Sequence, residues 1–174
     1  MTIKVFAGSP RNHHQILEVL KPMPQTSLIR VDNHEDFIRC MSGYSLPCAR
    51  YMNTVMQNNY FENIFWISKN LMYSLRAYSK NDKGFYEFKD YSLDNLQEIL
   101  NMAGKNSFKR IVLDVDPDIL GDYETGFSRG SMKKPELRQL INYFYKNKKV
   151  ELFFLAESKE FLNDLLKNPL NCVQ

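Results

Sequence analysis

Ser27 to Asp36 reads SLIRVDNHED: a short apolar strand, Leu28 to Val31, that stops on Asp-x-His-x-Asp. A matching element lies far downstream, RIVLDVDPD from Arg110 to Asp118, where the strand Ile111 to Leu113 stops on Asp-x-Asp. In open parallel sheets the carboxyl ends of the strands form the ligand crevice. Two strands ending on carboxylates therefore converge on one place, bringing Asp32, His34, Asp36, Asp114 and Asp116 together. Four carboxylates and an imidazole carry too much negative charge to assemble without cations. Oxygen-rich ligation with an imidazole suits a divalent ion such as Mn²⁺, and a shared carboxylate suits a pair of ions about 3.5–4 Å apart.

Residues two apart on an extended segment face the same way, so Asp32, His34 and Asp36 point into one crevice. The competing reading is a solvated acidic loop, and for Asp-x-Asp alone a simple loop or helix cap. The pairing of the two motifs favours a site. The remaining histidines, His13 and His14, sit in NHHQIL just after the first strand. They are able to reach the same crevice, one as a ligand and one as a proton carrier, since imidazole titrates near neutral pH. Glu157 ends the last strand in FFLAES. A carboxylate there accepts a guanidinium bidentately, or else simply favours the N-terminus of the next helix.

Outward from these motifs, the chain alternates strands and helices. Strands are expected at Ile3 to Ala7, Leu28 to Val31, Ile64 to Ile67, Ile111 to Leu113 and Val150 to Ala156. Helices are expected from Asn12 through Leu20, over Ala49 to Met56, over Leu93 to Met102, from Pro135, and over Phe161 to Leu166. Lys80 to Lys89 reads as irregular or as an edge strand, and GDYETGFSRG as a loop that lacks the Gly-Lys-Ser/Thr ending of a phosphate cradle. The alternation predicts an α/β fold, a three-layer αβα sandwich with a mainly parallel sheet.

A length of 174 residues points to a single domain, 1–174. The 44% hydrophobic and 25% charged residues are those of an ordinary globular chain. A net charge of +3 without a basic run argues against nucleic acid as a partner. Cys40, Cys48 and Cys172 have no Cys-x-x-Cys spacing and read as free thiols in a reducing compartment. MTIKVFAGSPRN lacks the apolar run of a signal peptide, and no apolar stretch approaches the length of a membrane span. The cytoplasm, with no membrane partner, is the expectation.

The order of motifs resembles the arginase (ureohydrolase) superfamily: a His after the first strand, Asp-x-His-x-Asp, Asp-x-Asp, then a late Glu. In that family the first three bind two Mn²⁺ ions. The resemblance implies metal ligation by His14, Asp32, His34, Asp36, Asp114 and Asp116. It implies guanidinium binding by Glu157, with Asp36 or Asp116 bonding the nucleophile and intermediate and His13 or water delivering the proton. The chain departs from the family in having SPRNHH where Gly-Gly-Asp-His is usual, and DVDPDIL where Asp-x-Asp-x-x-Asp-Pro is usual. Short arginase-like chains with a double His are similar to the peptide arginases, which convert arginine side chains of a ribosomally made precursor peptide to ornithine and release urea. That precursor peptide is the implied partner. A small-molecule ureohydrolase is the alternative, as are a haloacid-dehalogenase-type phosphatase, suggested by VLDVD, and a non-catalytic module on the same fold.

Overall fold

The computed structural model describes residues 4–7, 10–34, 51–68, 85–88, 110–123, 130–147, 150–157 and 159–166. The strands are β1 (Lys4–Ala7), β2 (Met23–Val31), β3 (Phe61–Ile67), β4 (Phe85–Phe88), β5 (Arg110–Val115) and β6 (Val150–Leu155). They form one sheet in the order β1-β6-β5-β2-β3-β4, and every pairing is parallel. The helices are α1 (Ile16–Val19), α2 (Tyr51–Gln57), α3 (Lys134–Asn147) and α4 (Lys159–Leu166), with 3₁₀ turns at Pro10–Gln15 and Pro117–Ile119.

The strands alternate, so each sends one set of side chains to each face. One face carries Ile29 and Val31 of β2, Phe65 and Ile67 of β3, Ile111, Leu113 and Val115 of β5, and Phe153 and Leu155 of β6. Against it pack Leu137, Leu140, Ile141 and Phe144 of α3 and Phe161 and Leu165 of α4. The α3 residues recur at i, i+3, i+4 and i+7, one stripe of an α-helix. Glu136 secures the start of that helix by accepting from the Lys133 N–H at 2.6 Å, the reach-back of a capping box. The opposite face carries Leu28, Ile64, Val112, Phe154 and Ala156, covered by Ile16 of α1 and Tyr51, Met52 and Val55 of α2. Helices on both faces make the expected three layers.

Sheet order locates the crevice. From β2 the chain steps outward through β3 to β4, then returns to the other side of β2 as β5 and steps away through β6. The direction reverses between β2 and β5. Opposite steps with one crossover hand require helices on opposite faces, as α2 and α3 are. Ligands of such sheets bind outside the carboxyl ends at the reversal, which here means the residues just after Val31 and Val115.

Several boundaries differ from the sequence expectation: β3 begins at Phe61, not Ile64, and β5 runs to Val115, not Leu113, so Asp114 lies inside the strand. β2 begins at Met23, not Leu28. Pro24 is tolerated because the β2–β3 register shifts between Met23 and Ser27, so no ladder bond is asked of the missing N–H. Asn12 lies inside the 3₁₀ turn Pro10–Gln15, and the position before α1 is held by Gln15. Phe85–Phe88 is an edge strand. The expected helix over 93–102, most of the loop GDYETGFSRG and Asp36 lie outside the described residues.

Candidate metal centre

Ladder bonds run one residue past the strand ends. Asp32 N–H donates to Ile67 O at 3.1 Å, Asp116 N–H to Val31 O at 2.9 Å, and Ala156 N–H to Val115 O at 2.9 Å. Asp32 and Asp116 are thereby fixed side by side at the reversal, on the face that also carries Leu28 and Val112. Trp66 Nε1 donates to Asp32 O at 2.9 Å and holds that turn from β3.

His13 enters this place from the 3₁₀ turn after β1. Its Nδ1 lies 3.1 Å from Asp116 Oδ2 and 3.5 Å from Asp32 Oδ2, and its Nε2 lies 2.7 Å from Asp114 Oδ1. The ring stacks on Phe154 at 5.8 Å and 4°. A second group forms beside the first: His34 Nδ1 contacts Asp118 and sits 3.8 Å from Asp32 Oδ1. Two three-residue sets therefore share Asp32, namely His13, Asp32 and Asp116, and Asp32, His34 and Asp118. His13, Asp32 and Asp118 are almost fully buried, whereas the His34 side chain keeps 37% of its exposure.

Asp118 joins through a turn. Asp116 accepts from Asp118 N–H at 3.0 Å and so caps the short 3₁₀ helix that follows. Asp118 Oδ1 then accepts from Asn33 N–H at 3.2 Å, which ties the end of β5 to the loop after β2.

The electrostatics are those of a cluster short of positive charge. Burial, then the charges of Asp116 and Asp32, hold the Asp118 carboxyl well above its ordinary range. Burial, together with the Asp32 charge, also raises Asp116, against the pull of His13. Burial works against a charged His13, but Asp114 and then Asp116 outweigh it and hold the imidazole well above 6.5. The donor set fits divalent cations: each group offers one imidazole nitrogen and two carboxylate oxygens. With bonds of about 2 Å, neighbouring ligand atoms on one ion lie roughly 3 Å apart, the spacing seen between His13 Nδ1 and Asp116 Oδ2.

The gathered set differs from the one the resemblance implied. His13 stands in the ligand group, while His14 stands outside both groups, its Nδ1 without a partner among the described residues. In a 3₁₀ turn successive residues point about 120° apart, so only one of the pair faces the strands. Asp116 and Asp118 stand where Asp114 and Asp116 were expected, a shift of two residues. Asp114 lies one layer deeper, its Oδ1 on His13 and its Oδ2 accepting from Tyr51 OH at 2.6 Å. Glu157 follows Ala156 on the neighbouring strand end and accepts from the Tyr123 hydroxyl; partial burial, then the Glu157 charge, push that phenol up to about 12.

Three residues escaped the sequence reading. Asp118 was visible as the third acid of DVDPD, but Pro117 breaks the extended alternation. Arg30 was visible as a charge inside an apolar strand, where an unpaired one is rare. It is fully buried, bonded to Asp32, with Nε 3.8 Å from Asp114 Oδ2. Tyr51 carries no signal in the sequence.

No family model matches the chain, and no curated protein does. Solved structures do match. One is formimidoylglutamase from Bacillus subtilis, at 14% identity and TM-score 0.69, covering 97% of this chain and 58% of that one. The agmatine ureohydrolase of Thermoplasma volcanium matches at 14% and 0.69, covering 98% and 60%. The arginase of Entamoeba histolytica, in complex with L-ornithine, matches at 14% and 0.66, covering 99% and 68%. The chain thus spans about three fifths of the length of the first two. At this identity the likeness establishes architecture: the chain has the α/β fold of the ureohydrolase-type hydrolases.

Proposed function

We propose that the chain is a metal-dependent hydrolase of guanidinium C–N bonds, using two Mn²⁺ ions held at the reversal of the sheet. The observation that carries this reading is the pair of His/Asp groups sharing Asp32, on a fold also found in an agmatine ureohydrolase and an arginase. In the proposal His13, Asp32 and Asp116 hold one ion and Asp32, His34 and Asp118 the other, and the Asp-x-His-x-Asp motif offers Asp36 as a further candidate ligand. Bound divalent ions supply Lewis acidity and lower the pKa of water toward neutrality.

The chain's own residues do the rest. Asp116 lies at the centre of the cluster, able to accept a hydrogen bond from the attacking water. Glu157 pairs with the planar substrate cation through two N–H groups, and Tyr123 keeps that carboxylate in place. His13 is enclosed on all sides by carboxylates and aromatic rings, so it serves as ligand in this scheme. The proton that the leaving amine requires then comes from water.

The finer reading is a peptide arginase, making ornithine side chains and urea within a precursor peptide in the cytoplasm. The partial exposure of His34 and Glu157 supports an arginine side chain presented on a larger molecule. Mn²⁺-loaded protein is incubated with an arginine-containing peptide, free arginine and agmatine, and urea and product masses are measured. Loss of one cyanamide equivalent per peptide arginine is the expected result. Turnover of the free compounds with no action on peptides assigns the small-molecule alternative, and no urea from any of the three removes the reading.

A further inference from the structure

Beneath the two cation groups lies a second polar layer that neither the ligand set nor the chemistry above uses. Arg30 and Asp114 are direct partners in the β2–β5 register, one step deeper than Asp32 and Asp116. Both are fully buried. Asp114 spends both oxygens inside the protein: Oδ1 faces His13 Nε2 at 2.7 Å, while Oδ2 accepts from Tyr51 OH at 2.6 Å and lies 3.8 Å from Arg30 Nε. The Arg30 guanidinium also sits 5.1 Å over the Tyr51 ring, and the same ring lies 4.9 Å from His13. Neither Asp114 oxygen belongs to a cation group.

We propose that Asp114 is a positioning residue, locked by Arg30 and Tyr51, that accepts the Nε2 proton of His13 and aims Nδ1 at the ion shared with Asp32 and Asp116. This rests on the two-cation reading above. An imidazole that donates through one nitrogen to a carboxylate has its tautomer and its ring plane fixed, and offers its other nitrogen as ligand. Arg30 has the chemistry this layer requires. It is a cation that never deprotonates, so Asp114 is balanced in advance, and it also bonds Asp32. A buried acid without such a partner would compete for the ion itself. Tyr51 adds the fork that stops the carboxylate from rotating away from His13.

The test uses the full chain and metal ions alone. Chelator-treated wild type, the paired variant Arg30→Met/Asp114→Leu, and Asp116→Asn are titrated with Mn²⁺ in a calorimeter. The paired variant removes both members of the Arg30–Asp114 pair together, but it also takes Arg30 from Asp32. Arg30→Lys/Asp114→Asn, which keeps a cation beside Asp32, is therefore titrated alongside it, and each fold is checked by circular dichroism. Both paired variants are expected to bind two Mn²⁺ per chain, one of them about 10–100-fold more weakly than wild type, the usual cost of losing an outer partner of a ligand. Asp116→Asn is expected to bind fewer than two. Loss of a whole equivalent from both paired variants would make Asp114 a ligand and overturn the proposal; unchanged affinities would overturn it too.

A spectroscopic arm needs no variant. Nitrogen-15 histidine-labelled wild type loaded with cadmium-113 is expected to show the metal coupling at His13 Nδ1 and a proton on Nε2. Coupling at Nε2 sinks the proposal. Failure of wild type to take up either ion removes the two-cation reading itself, and is seen in the wild-type arm alone.

Discussion

The two faces of the sheet are built from alternate residues of the same strands, and they end differently. On the α3–α4 face β2, β3, β5 and β6 stay apolar to their tips, with Val31, Ile67, Val115 and Leu155 fully buried at the carboxyl ends. On the α1–α2 face β2 runs Leu28, Arg30, Asp32 and β5 runs Val112, Asp114, Asp116. That face starts apolar, passes through a paired charge layer, and ends in a crowded acid layer. One face therefore supplies the burial that holds the fold, and the other concentrates uncompensated charge. The expense of the second is tolerable because the backbone that carries it is clamped by the first.

The largest effect that would break the contrast comes from Asp32, which both His/Asp groups share. Asp32→Ala is expected to lower kcat/KM more than about a thousandfold, or about 4 kcal/mol of transition-state stabilisation, with Mn²⁺ content falling alongside. Metal analysis of the folded variant decides it; retention of both ions would mean the groups do not share this carboxylate.

On the opposite face Phe144→Ala should cost about 3–5 kcal/mol of stability through the cavity it leaves. Mn²⁺ bound per folded molecule should not change. Thermal melts and a titration of the surviving fold test this together, and a variant that loses metal while staying fully folded would show that the faces are not separable.

The pH dependence of the chelator-treated protein sharpens the same contrast. His13 and Asp118 are both raised in the fold. A raised group contributes stability that is complete below its unfolded value and is lost as pH rises through its folded one. Both therefore destabilise the metal-free protein as pH climbs, Asp118 from near 3.8 upward and His13 above 6.5. Asp114 opposes this, since burial is outweighed by His13 and Arg30 and its carboxyl is lowered; its contribution is present above 3.8 and lost as pH falls below that value. Melting temperature without metal should thus fall between mildly acidic and alkaline pH, and added Mn²⁺ should raise it most at the alkaline end. A metal-free melting temperature that rises across this range contradicts the assignment.

The smallest effect concerns the rim. Glu157→Gln should lower turnover by well over tenfold, since truncating one side of a charge pair costs about 2–5 kcal/mol, with Mn²⁺ content intact. It should also bring the Tyr123 phenol down from about 12, visible as the part of the ultraviolet titration that Tyr123→Phe removes. Wild-type turnover in Glu157→Gln reduces this carboxylate to a partner of Tyr123 alone.

The layers were legible in the sequence to different depths. Asp32 and His34 could be read because extended backbone has a period of two, and the acids after both strands marked the reversal before its topology was known. The choice between His13 and His14 depended on the rotation of a 3₁₀ turn, which no periodicity in NHHQIL records. Asp118 was hidden by Pro117, where the chain stops being extended yet returns to the same place. Arg30 was hidden by its neighbours, since three apolar residues around it make the strand read as uniform. What pairs with it, Asp114 and Tyr51, is 84 and 21 residues away by number, joined to it only by the β2–β5 register and by the packing of α2 on that face.

The connection after β5 carries one more consequence. Gly121 N–H donates to Met132 O, Met132 N–H to Ile119 O, and Gly130 N–H to Asp118 O, at 2.7–3.0 Å. A side chain at Gly130 would meet Ile119 O at 2.1 Å, so the two ends of this excursion are cinched backbone to backbone. The pinch is written in backbone and not in side chains, so it survives exchange of the side chains at Ile119 or Met132, whereas any side chain at Gly130 would pry the turn open and unseat Asp118 from Asn33 and His34.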